Sequence, residues 1–336
     1  MKKTVSFSKH SKNVFFHILT QCNLKCGHCY INPEAHGKTM LTRETLESWL
    51  KIFSTESQSS NVIFLGGEPT LHPDLPFAVK KAKELGYASI TIDTNGYLFN
   101  DILHKISPDE LDYISFSLDG ASRQTNDRIR GTGSYDKCTE NMERAALQGF
   151  RTSLIYTVSR DNMHELEQMI PFLERCRADR FFIQVIGLRG RAATDGAGEK
   201  GKQLSYKEWM RIVPDVAAEV AKLGITVTWP KVFLRHDEPF ECAGLVAENY
   251  FVFPNGRVYQ CPLCEDFPLH SGIIRDDVLK KMPKINESDL FRLTIPEGCV
   301  MNKLIQPGNI TYKGNNLPEY KIACCLLKEE IRGAGR

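Results

Sequence analysis

The stretch Cys22-Asn23-Leu24-Lys25-Cys26-Gly27-His28-Cys29-Tyr30 places three thiols at intervals of four and three residues. It follows an apolar run, Val14 to Leu19, that predicts a buried strand. Thiolates are good iron ligands, and a loop can fold around a cubane iron–sulfur cluster that no straight helix could surround. Three cysteines would leave one iron of a four-iron cluster open, as a catalytic zinc site keeps one position open. The stretch therefore predicts an iron–sulfur site at the end of the first strand.

Two other interpretations of these cysteines stay open at this point. Positions i, i+4 and i+7 also share one face of a helix, where free cysteines pack as small hydrophobic residues. Asn23, Gly27 and the strand just before them disfavour a helix. The second alternative is a zinc site with His28 as the fourth ligand, although Cys-Gly-His-Cys would crowd two ligands side by side.

The rest of the chain alternates short apolar runs with longer amphipathic ones, a pattern typical of strand–helix units around a parallel sheet. We predict strands near residues 14–20, 62–65, 89–93, 113–118, 151–158 and 181–186. Helices are predicted at 42–53, 74–85, 101–106, 135–148 and 163–176, followed by a helix at 206–223 and a short strand at 225–228. Six units predict an α/β fold, a partial (β/α)6 TIM-like barrel with its active-site groups at the C-terminal ends of the strands.

Size and composition set limits on function. The 336 residues suffice for one large domain, or for a large domain and a small one. A formal charge of +2 gives no support for nucleic acid or an anionic membrane as partner. The sequence lacks a secretory-type apolar stretch near Met1, so we expect a cytoplasmic protein. The chain has eleven cysteines, and several of them are clustered. Because that compartment is reducing, metal binding is a better interpretation of the clustered cysteines than disulfide bonds.

The three-cysteine stretch matches a known signature. Cys22, Cys26 and Cys29, followed by Tyr30, resemble the CxxxCxxC motif of the radical S-adenosylmethionine (radical SAM) enzymes. The resemblance implies a SAM-binding 4Fe-4S cluster whose open iron chelates the methionine amino and carboxylate groups of SAM. It is strengthened by further motifs that follow in the family's order.

The second predicted strand runs into Gly66-Gly67-Glu68-Pro69. Adjacent glycines either let the backbone approach a ligand closely or form a plain turn. The segment is similar to the GGEP motif of the family, which binds the amino group of the methionine moiety of SAM. On this resemblance, Glu68 supplies a carboxylate near that ammonium group.

Three later segments continue the resemblance. Thr94-Asn95-Gly96 is similar to the family's TNG segment, although Asn95 could be only a turn residue. The fourth strand ends in an SLDG-like element, which implies that Ser117 and Asp119 face the SAM pocket. The run 126–131 resembles an HDxxRG stretch common in the subgroup with an extra cluster domain, but its first residue departs from that pattern. Sequence alone favours a solvated charged loop there.

The sixth strand is followed by a glycine-rich polar run through Gly201, which predicts a flexible connector or a lid. Arg189 or Arg191 could hold a substrate or SAM carboxylate through a bidentate fork, or could be exposed charges. Cys138 and Cys176 each lie in or at the end of a predicted helix without a cysteine neighbour, so we interpret both as structural.

The remaining cysteines form a second group toward the C-terminus: Cys242, Cys261, Cys264, Cys299, Cys324 and Cys325. Two apolar runs separated by Asn255-Gly256 predict a hairpin that brings Cys242 and Cys261 together. Their spacing around Gly256 resembles the CX9-15GX4C core of SPASM and twitch domains, which carry auxiliary 4Fe-4S clusters. A complete SPASM domain has a second, cysteine-dense motif, for which only Cys299 and the pair 324–325 remain here. Their wide spacing departs from that pattern, so the resemblance implies one auxiliary cluster of the twitch type.

The resemblance leaves the ligand set of this second site partly open. Cys242 and Cys261 are the expected ligands, while Cys264, Cys299 and the pair 324–325 compete for the remaining places. A structural zinc site is an alternative, since four thiolates also suit zinc. We predict a division into a radical SAM partial barrel at residues 1–230 and a small α+β auxiliary-cluster domain, built on the hairpin, at 231–336.

The resemblance implies reductive cleavage of SAM to a 5′-deoxyadenosyl radical, which abstracts a substrate hydrogen atom. We expect an oxidative modification of a peptide or a small biosynthetic intermediate, with electrons from a reductase or a flavodoxin- or ferredoxin-type donor. No side chain can be named as the catalytic acid or base; Tyr259, Cys264 and Cys299 are unranked candidates for quenching a substrate radical. The alternatives are a non-catalytic iron–sulfur protein for electron transfer or redox sensing, which the motif at 66–68 disfavours, and a zinc-stabilised binding module.

Overall fold

A computed structural model describes residues 2–5, 11–54, 59–194, 202–323 and 325–334. Its strands are β1 Lys2–Val5, β2 Ser11–His17, β3 Ser59–Leu65, β4 Ser89–Thr94, β5 Tyr113–Ser117, β6 Thr152–Val158, β7 Arg180–Val185, β8 Thr226–Pro230, β9 Phe233–Arg235, β10 Glu248–Val252, β11 Arg257–Tyr259, β12 Gly272–Arg275, β13 Val278–Lys281, β14 Tyr320–Ile322 and β15 Lys328–Ile331. Its α-helices are α1 Pro33–His36, α2 Arg43–Phe53, α3 Leu75–Glu84, α4 Ile102–Lys105, α5 Arg123–Arg130, α6 Ser134–Leu147, α7 Met169–Arg175, α8 Arg191–Thr194, α9 Tyr206–Lys222, α10 Ala243–Val246, α11 Glu287–Phe291 and α12 Asn302–Ile305.

The parallel part of the main sheet is the predicted partial barrel. Strands β2 to β8 lie side by side in chain order, and each pairs in parallel with the next. Each successive pair up to β7 is joined by a crossover that contains a helix, which is the connection that parallel strands require. The C-terminal ends of the strands therefore meet at one edge, where the cysteine loop follows β2. This architecture confirms the α/β fold class.

Helix α2 shows how the local sequence builds the outer layer. Thr42 caps its N-terminus by accepting a hydrogen bond from the amide of Thr45 at 3.2 Å. The helix buries four apolar side chains spaced at i, i+3, i+4 and i+7, namely Leu46, Trp49, Leu50 and Phe53. Burial of each such side chain contributes roughly 1.5–3 kcal/mol. The apolar stripe therefore fixes which face of α2 packs on the sheet.

Most predicted elements are present, with shifted ends. The six strands predicted between residues 14 and 186 correspond to β2–β7, and the predicted helix at 206–223 is α9, whose Ser205 and Glu208 form a capping box. The helix predicted at 163–176 is instead a short 3-10 turn, Met163–Glu165, followed by α7. No helix in the described part of the chain combines the length and the apolar character needed to cross a bilayer.

The C-terminal region extends the same sheet. The predicted hairpin is β10–β11, and β10 pairs in parallel with β2, with Phe251 opposite Phe15. Strands β11, β12 and β13 continue antiparallel from there, while β15 pairs with β8 at the other side of the barrel. A separate two-stranded sheet joins β9 and β14. Strands from both sides of residue 230 thus share one sheet, and the predicted division into two domains stays a prediction.

Candidate functional site

The loop at Cys22–Tyr30 is irregular backbone, so the interpretation of its cysteines as one face of a packed helix is wrong. Cys22 is exposed, and Cys26 and Cys29 are partly buried. The C-terminal end of α5 contacts this loop, because the amide of Gly27 donates a hydrogen bond to the carbonyl of Ile129 at 2.9 Å. The three thiols are thus presented at the C-terminal edge of the parallel strands, where the barrel architecture predicts an active site.

The electrostatics of the loop suit a cationic metal centre. Although the side chain of Cys22 is exposed, the protein atoms around it raise the pKa of its thiol, and Glu68, Cys26 and Cys29 contribute in the same direction. Burial also raises the pKa of Cys26, although Arg130 opposes that shift. Both shifts disfavour the thiolate form of these cysteines, and a positive charge such as that of iron would favour it.

The described ranges contain no group of three or more histidine, cysteine, aspartate or glutamate side chains that converges to hold a metal ion. A tetrahedral zinc site needs four ligands on one ion, whereas the thiolates of a cubane each bind a different iron. His28 lies 3.3 Å from Asp119, between its Nε2 and the carboxylate Oδ2. The ring of His28 therefore lies against the carboxylate of Asp119.

Gly66 and Gly67 pack against the backbone that leads into the cysteine loop. The amide of Gly67 donates to the carbonyl of Leu19 at 3.0 Å, and that of Glu68 donates to the carbonyl of Gln21 at 2.9 Å. A Cβ on Gly67 would lie 2.1 Å from the oxygen of Gln21, and one on Gly66 would lie 2.2 Å from the oxygen of Leu19. These contacts tie β3 to the loop, and the predicted close approach of this backbone to a ligand stays a prediction.

Glu68 is buried and receives hydrogen bonds from three residues. Its Oε1 accepts from the amide of Thr70 at 3.1 Å and from the hydroxyls of Thr70 and Thr94, each at 2.7 Å. Its Oε2 accepts from the amide of Asn95 at 2.7 Å. Burial raises the pKa of Glu68, and these hydrogen bonds lower it. Because a carboxylate oxygen accepts more than one hydrogen bond, Oε2 keeps capacity for a further donor such as an ammonium group.

Asn95 is both a turn residue and a contact of the cysteine loop. Its Oδ1 accepts from the amide of Tyr97 at 2.8 Å, which is the expected turn interaction. Its Nδ2 donates to Oδ1 of Asn23 at 2.9 Å and lies 3.7 Å from the sulfur of Cys22. The two interpretations of this residue are therefore compatible. Pro69 begins a buried 3-10 turn that Glu68 caps.

Asp119 holds three elements together. Its Oδ2 lies 2.6 Å from Nε of Arg130 and near His28, while its Oδ1 accepts from the amide of Thr157 at 2.7 Å. The carboxylate is fully buried. The observed partners of Asp119 are thus protein groups of the cysteine loop, α5 and β6. The carbonyl of Ser117 accepts a weak hydrogen bond from the thiol of Cys138 at 3.7 Å.

The structure of the run at 126–131 differs from the prediction. It lies mostly in helix α5, not in a solvated charged loop, and Asn126 and Arg130 are buried. Asn126 accepts from the amide of Asp119 at 2.9 Å and donates to the hydroxyl of Ser134 at 2.9 Å. Ser122 caps the helix by accepting from the amide of Thr125. That capping serine was the available sequence signal, because the helix carries few apolar residues.

The two arginines after β7 are engaged with the protein. Arg189, 17% of whose side chain is exposed, lies 2.6 Å from Oε2 of Glu265. Arg191 donates from Nη1 to the carbonyl of Cys26 at 3.1 Å. Neither arginine is an exposed charge, and the carboxylate that Arg189 holds here belongs to the protein. Residues 195–201 of the predicted connector lie outside the described residues.

The second cysteine group lines one cavity. Its walls include Cys242, Cys261, Cys264 and Cys299 together with apolar side chains such as Phe291. The pKa of Cys261 is raised well above its ordinary value by a hydrogen bond with Cys264 and by burial, and Cys325 also raises it. Burial raises the pKa of Cys242 to about 11. Cys325 is therefore within electrostatic range of the cavity, whereas residue 324 lies outside the described part of the chain.

The two cysteines interpreted as structural, Cys138 and Cys176, are buried. Cys138 packs against Gly96, where an added Cβ would lie 3.2 Å from the cysteine sulfur. Cys176 follows α7, and burial raises the pKa of its thiol to about 12. Both behave as small core residues.

Comparison with known proteins agrees with this geometry. Residues 17–173 match the family model of the Radical SAM superfamily. The Fe-coproporphyrin III synthase of Methanosarcina barkeri is 28% identical over 250 residues, which cover 73% of this chain and 58% of that protein. The probable GTP 3′,8-cyclase of Saccharolobus solfataricus is 33% identical over 150 residues, 44% of this chain and 48% of that protein. The chain thus matches only about half of the length of these two relatives.

A solved structure extends the agreement in fold. Native anSMEcpe with bound AdoMet and Kp18Cys peptide superposes with a TM-score of 0.64 at 15% identity, and the match covers 93% of both chains. At this identity the likeness concerns the fold alone. That fold is the partial barrel with a C-terminal extension described above.

Proposed function

We propose that the chain is a radical SAM enzyme that cleaves SAM reductively, abstracts a substrate hydrogen atom and completes an oxidative modification with the help of an auxiliary 4Fe-4S cluster. A cluster on the first cysteine loop would supply the electron that splits the carbon–sulfur bond of SAM. The observation that carries the proposal is the position of Glu68: its Oε2 accepts one hydrogen bond, from the amide of Asn95, and the side chain of Asn95 donates to Asn23 in the loop of Cys22.

Each predicted site residue has a proposed role in binding the cluster or SAM. Cys22, Cys26 and Cys29 would hold the cluster, and Glu68 would accept a hydrogen bond from the amino group of SAM. Gly66 and Gly67 allow the close approach that keeps this carboxylate beside the loop. The predicted pocket contacts of Ser117 and Asp119 with SAM remain part of the proposal, with Asp119 acting through its contacts with His28 and Arg130.

The second cysteine group supports the auxiliary cluster. Four thiols line one apolar cavity, which is the number that would ligate every iron of a 4Fe-4S cluster. We propose Cys242, Cys261, Cys264 and Cys299 as its ligands, with Cys325 as a neighbour. A structural zinc ion remains the competing occupant, because the same four thiolates would suit it.

The comparisons bear on the substrate class. The fold match is to a protein solved with a bound peptide, and the relatives are named for reactions on a porphyrin and on GTP. We therefore propose a peptide or a small biosynthetic intermediate as substrate, and a reductase or a flavodoxin- or ferredoxin-type protein as electron donor. The alternative of a non-catalytic iron–sulfur protein would bind clusters without consuming SAM.

The test is anaerobic reconstitution followed by metal analysis and addition of SAM with dithionite. We expect about eight irons per wild-type chain, and about four in a Cys22→Ala/Cys26→Ala/Cys29→Ala variant and in a Cys242→Ala/Cys261→Ala variant. Wild type should form 5′-deoxyadenosine, and the triple variant should form none. Cys176→Ala is the matched control, because this thiol lies outside both groups, and should keep about eight irons.

Each part of the proposal can fail separately. Wild type with about four irons and stoichiometric zinc would replace the auxiliary cluster by a structural zinc site. Fully loaded wild type that forms no 5′-deoxyadenosine from SAM, alone or with candidate peptide substrates, would favour the electron-transfer alternative.

A further inference from the structure

The segment Gly187–Arg191, which follows β7, lies between the two cysteine groups. On one side, the amide of Arg191 donates to the carbonyl of Cys29 at 2.9 Å. On the other side, the amide of Gly190 lies 3.3 Å from Oδ2 of Asp266, two residues after Cys264. A stretch of two residues therefore contacts both cysteine-bearing loops.

Gly190 packs closely against the backbone of the first cysteine loop. Its φ is +55°, and a Cβ there would lie 2.4 Å from the oxygen of Cys29 and 2.6 Å from Cα of Tyr30. Contacts of that length are excluded for any side chain larger than hydrogen, so the segment lies directly against the first loop. The spacing between the loop and the segment is therefore set by backbone packing.

The side chain of Arg189 joins the two groups. Its guanidinium lies 4.4 Å from the ring centroid of Tyr30, the residue next to Cys29. The same side chain pairs with Glu265 at 2.6 Å and donates to the carbonyl of Pro262. Pro262 and Glu265 are the sequence neighbours of Cys261 and Cys264. A planar guanidinium can stack on a ring and donate in its own plane at once, which an ammonium group cannot do.

Arg189 is also electrostatically linked to the second group. Burial lowers the pKa of Arg189, whereas Glu265, Tyr30 and Cys325 raise it, and the net shift is upward. A buried cation interacts over longer distances than an exposed one, because protein surrounds it instead of water and salt. Its charge, partly offset by that of Glu265 at 2.6 Å, would therefore act on both sites.

We propose that Arg189 is a positioning residue shared by the two iron–sulfur sites, and that its buried charge sets the reduction potentials of both. This inference rests on the proposed function, since it requires a cluster at each cysteine group. Reduction adds one electron to a cluster, and a nearby cation stabilises the reduced form, so the potential rises with that charge. The loops that carry the ligands are joined through the same side chain.

The test is a potentiometric titration of the reconstituted full-length protein with dithionite and mediators, followed by electron paramagnetic resonance. In Arg189→Gln, both midpoint potentials should fall relative to wild type, each by at least the 59 mV that corresponds to a tenfold lower ratio of reduced to oxidised cluster. Arg189→Lys keeps the charge and should restore most of both potentials. Arg123→Gln is the control, because this arginine is exposed and forms a surface pair with Asp136.

The outcomes separate this inference from the function on which it rests. If wild type binds only one cluster, the proposed function loses its auxiliary cluster and the inference falls with it. If wild type binds two and Arg189→Gln shifts one potential or neither, the auxiliary cluster stands and the shared role of Arg189 is overturned. If Arg189→Gln loses iron, the charge-retaining Arg189→Lys decides: potentials near those of wild type support the inference, and potentials lowered at both sites overturn the role of the charge.

Discussion

The carboxylate of Glu68 accepts a hydrogen bond from the backbone amide of Asn95 at 2.7 Å, which joins the ends of β3 and β4 beneath the cysteine loop. The side chain of Asn95 then donates to Asn23 within that loop. The candidate SAM-binding carboxylate is thus positioned by the same residue that contacts the candidate metal site.

Glu68→Gln should weaken both stability and SAM binding. An amide places an NH2 group where one carboxylate oxygen now accepts, so either Asn95 or the threonine donors lose a partner in a buried site. We expect a loss of about 1–3 kcal/mol in the free energy of unfolding, measured by urea denaturation of the metal-free protein. Glu84→Gln, at a side chain that is 64% exposed, is the control and should change stability by less than about 0.5 kcal/mol.

Gly67→Ala should destabilise the junction between β3 and the cysteine loop. The new methyl group would lie 2.1 Å from the carbonyl oxygen of Gln21, and backbone must move to relieve that contact. We expect a loss of about 1–3 kcal/mol or more. Gly314→Ala is the matched control, because a Cβ there meets nothing within 4 Å. Equal melting temperatures for the two variants would contradict the packing described here.

Arg130→Met should be more harmful than the double variant Asp119→Asn/Arg130→Met. Removing the cation alone leaves the buried carboxylate of Asp119 without its closest partner, which costs about 3–5 kcal/mol. Removing both charges avoids that penalty. Urea denaturation of the two single variants and the double variant measures the coupling, and strictly additive losses would argue against a buried ion pair.

The sequence identified the parts of the molecule that are encoded locally. Six strands of the barrel follow from apolar runs, and the first cysteine loop follows from its spacing, since both signals lie within a few residues. Helix α5 was missed because its stability depends on tertiary partners. One such contact is the hydrogen bond that the amide of Asp119 donates to the side chain of Asn126.

Contacts between distant segments could not be predicted from a single sequence. The pairing of β10 with β2 joins residues more than two hundred positions apart, and no local pattern encodes it. For the same reason, the ion pair of Arg189 with Glu265 and the contact of His28 with Asp119 emerge only from the fold. Residue types at the site were predictable, whereas their partners were not.

Asp93 should make stability depend on pH. It lies on β4 opposite Ser115, and burial raises its pKa from 3.8 to about 7. A folded-state pKa above the unfolded value means that the folded protein prefers the protonated acid. This contribution to stability is present below about pH 4 and is lost as the pH rises toward about 7.

Asp93→Asn removes this ionisation. The variant should gain stability relative to wild type as the pH rises, by about 1 kcal/mol per pH unit between about pH 5 and about pH 7. Urea denaturation across this range measures the difference. Asp109→Asn, at an exposed position, should show no such trend. A constant difference between Asp93→Asn and wild type would mean that Asp93 keeps an ordinary pKa.

Strand β2 pairs with β3 on one side and with β10 on the other, so it is an interior strand only while the C-terminal region is present. A fragment that stops after Pro230 would expose the row of amides and carbonyls that β10 now satisfies. Such an open edge invites pairing with another chain. An isolated barrel fragment should therefore self-associate through the very strand that delivers Cys22, and binding studies on the candidate cluster loop require the longer chain.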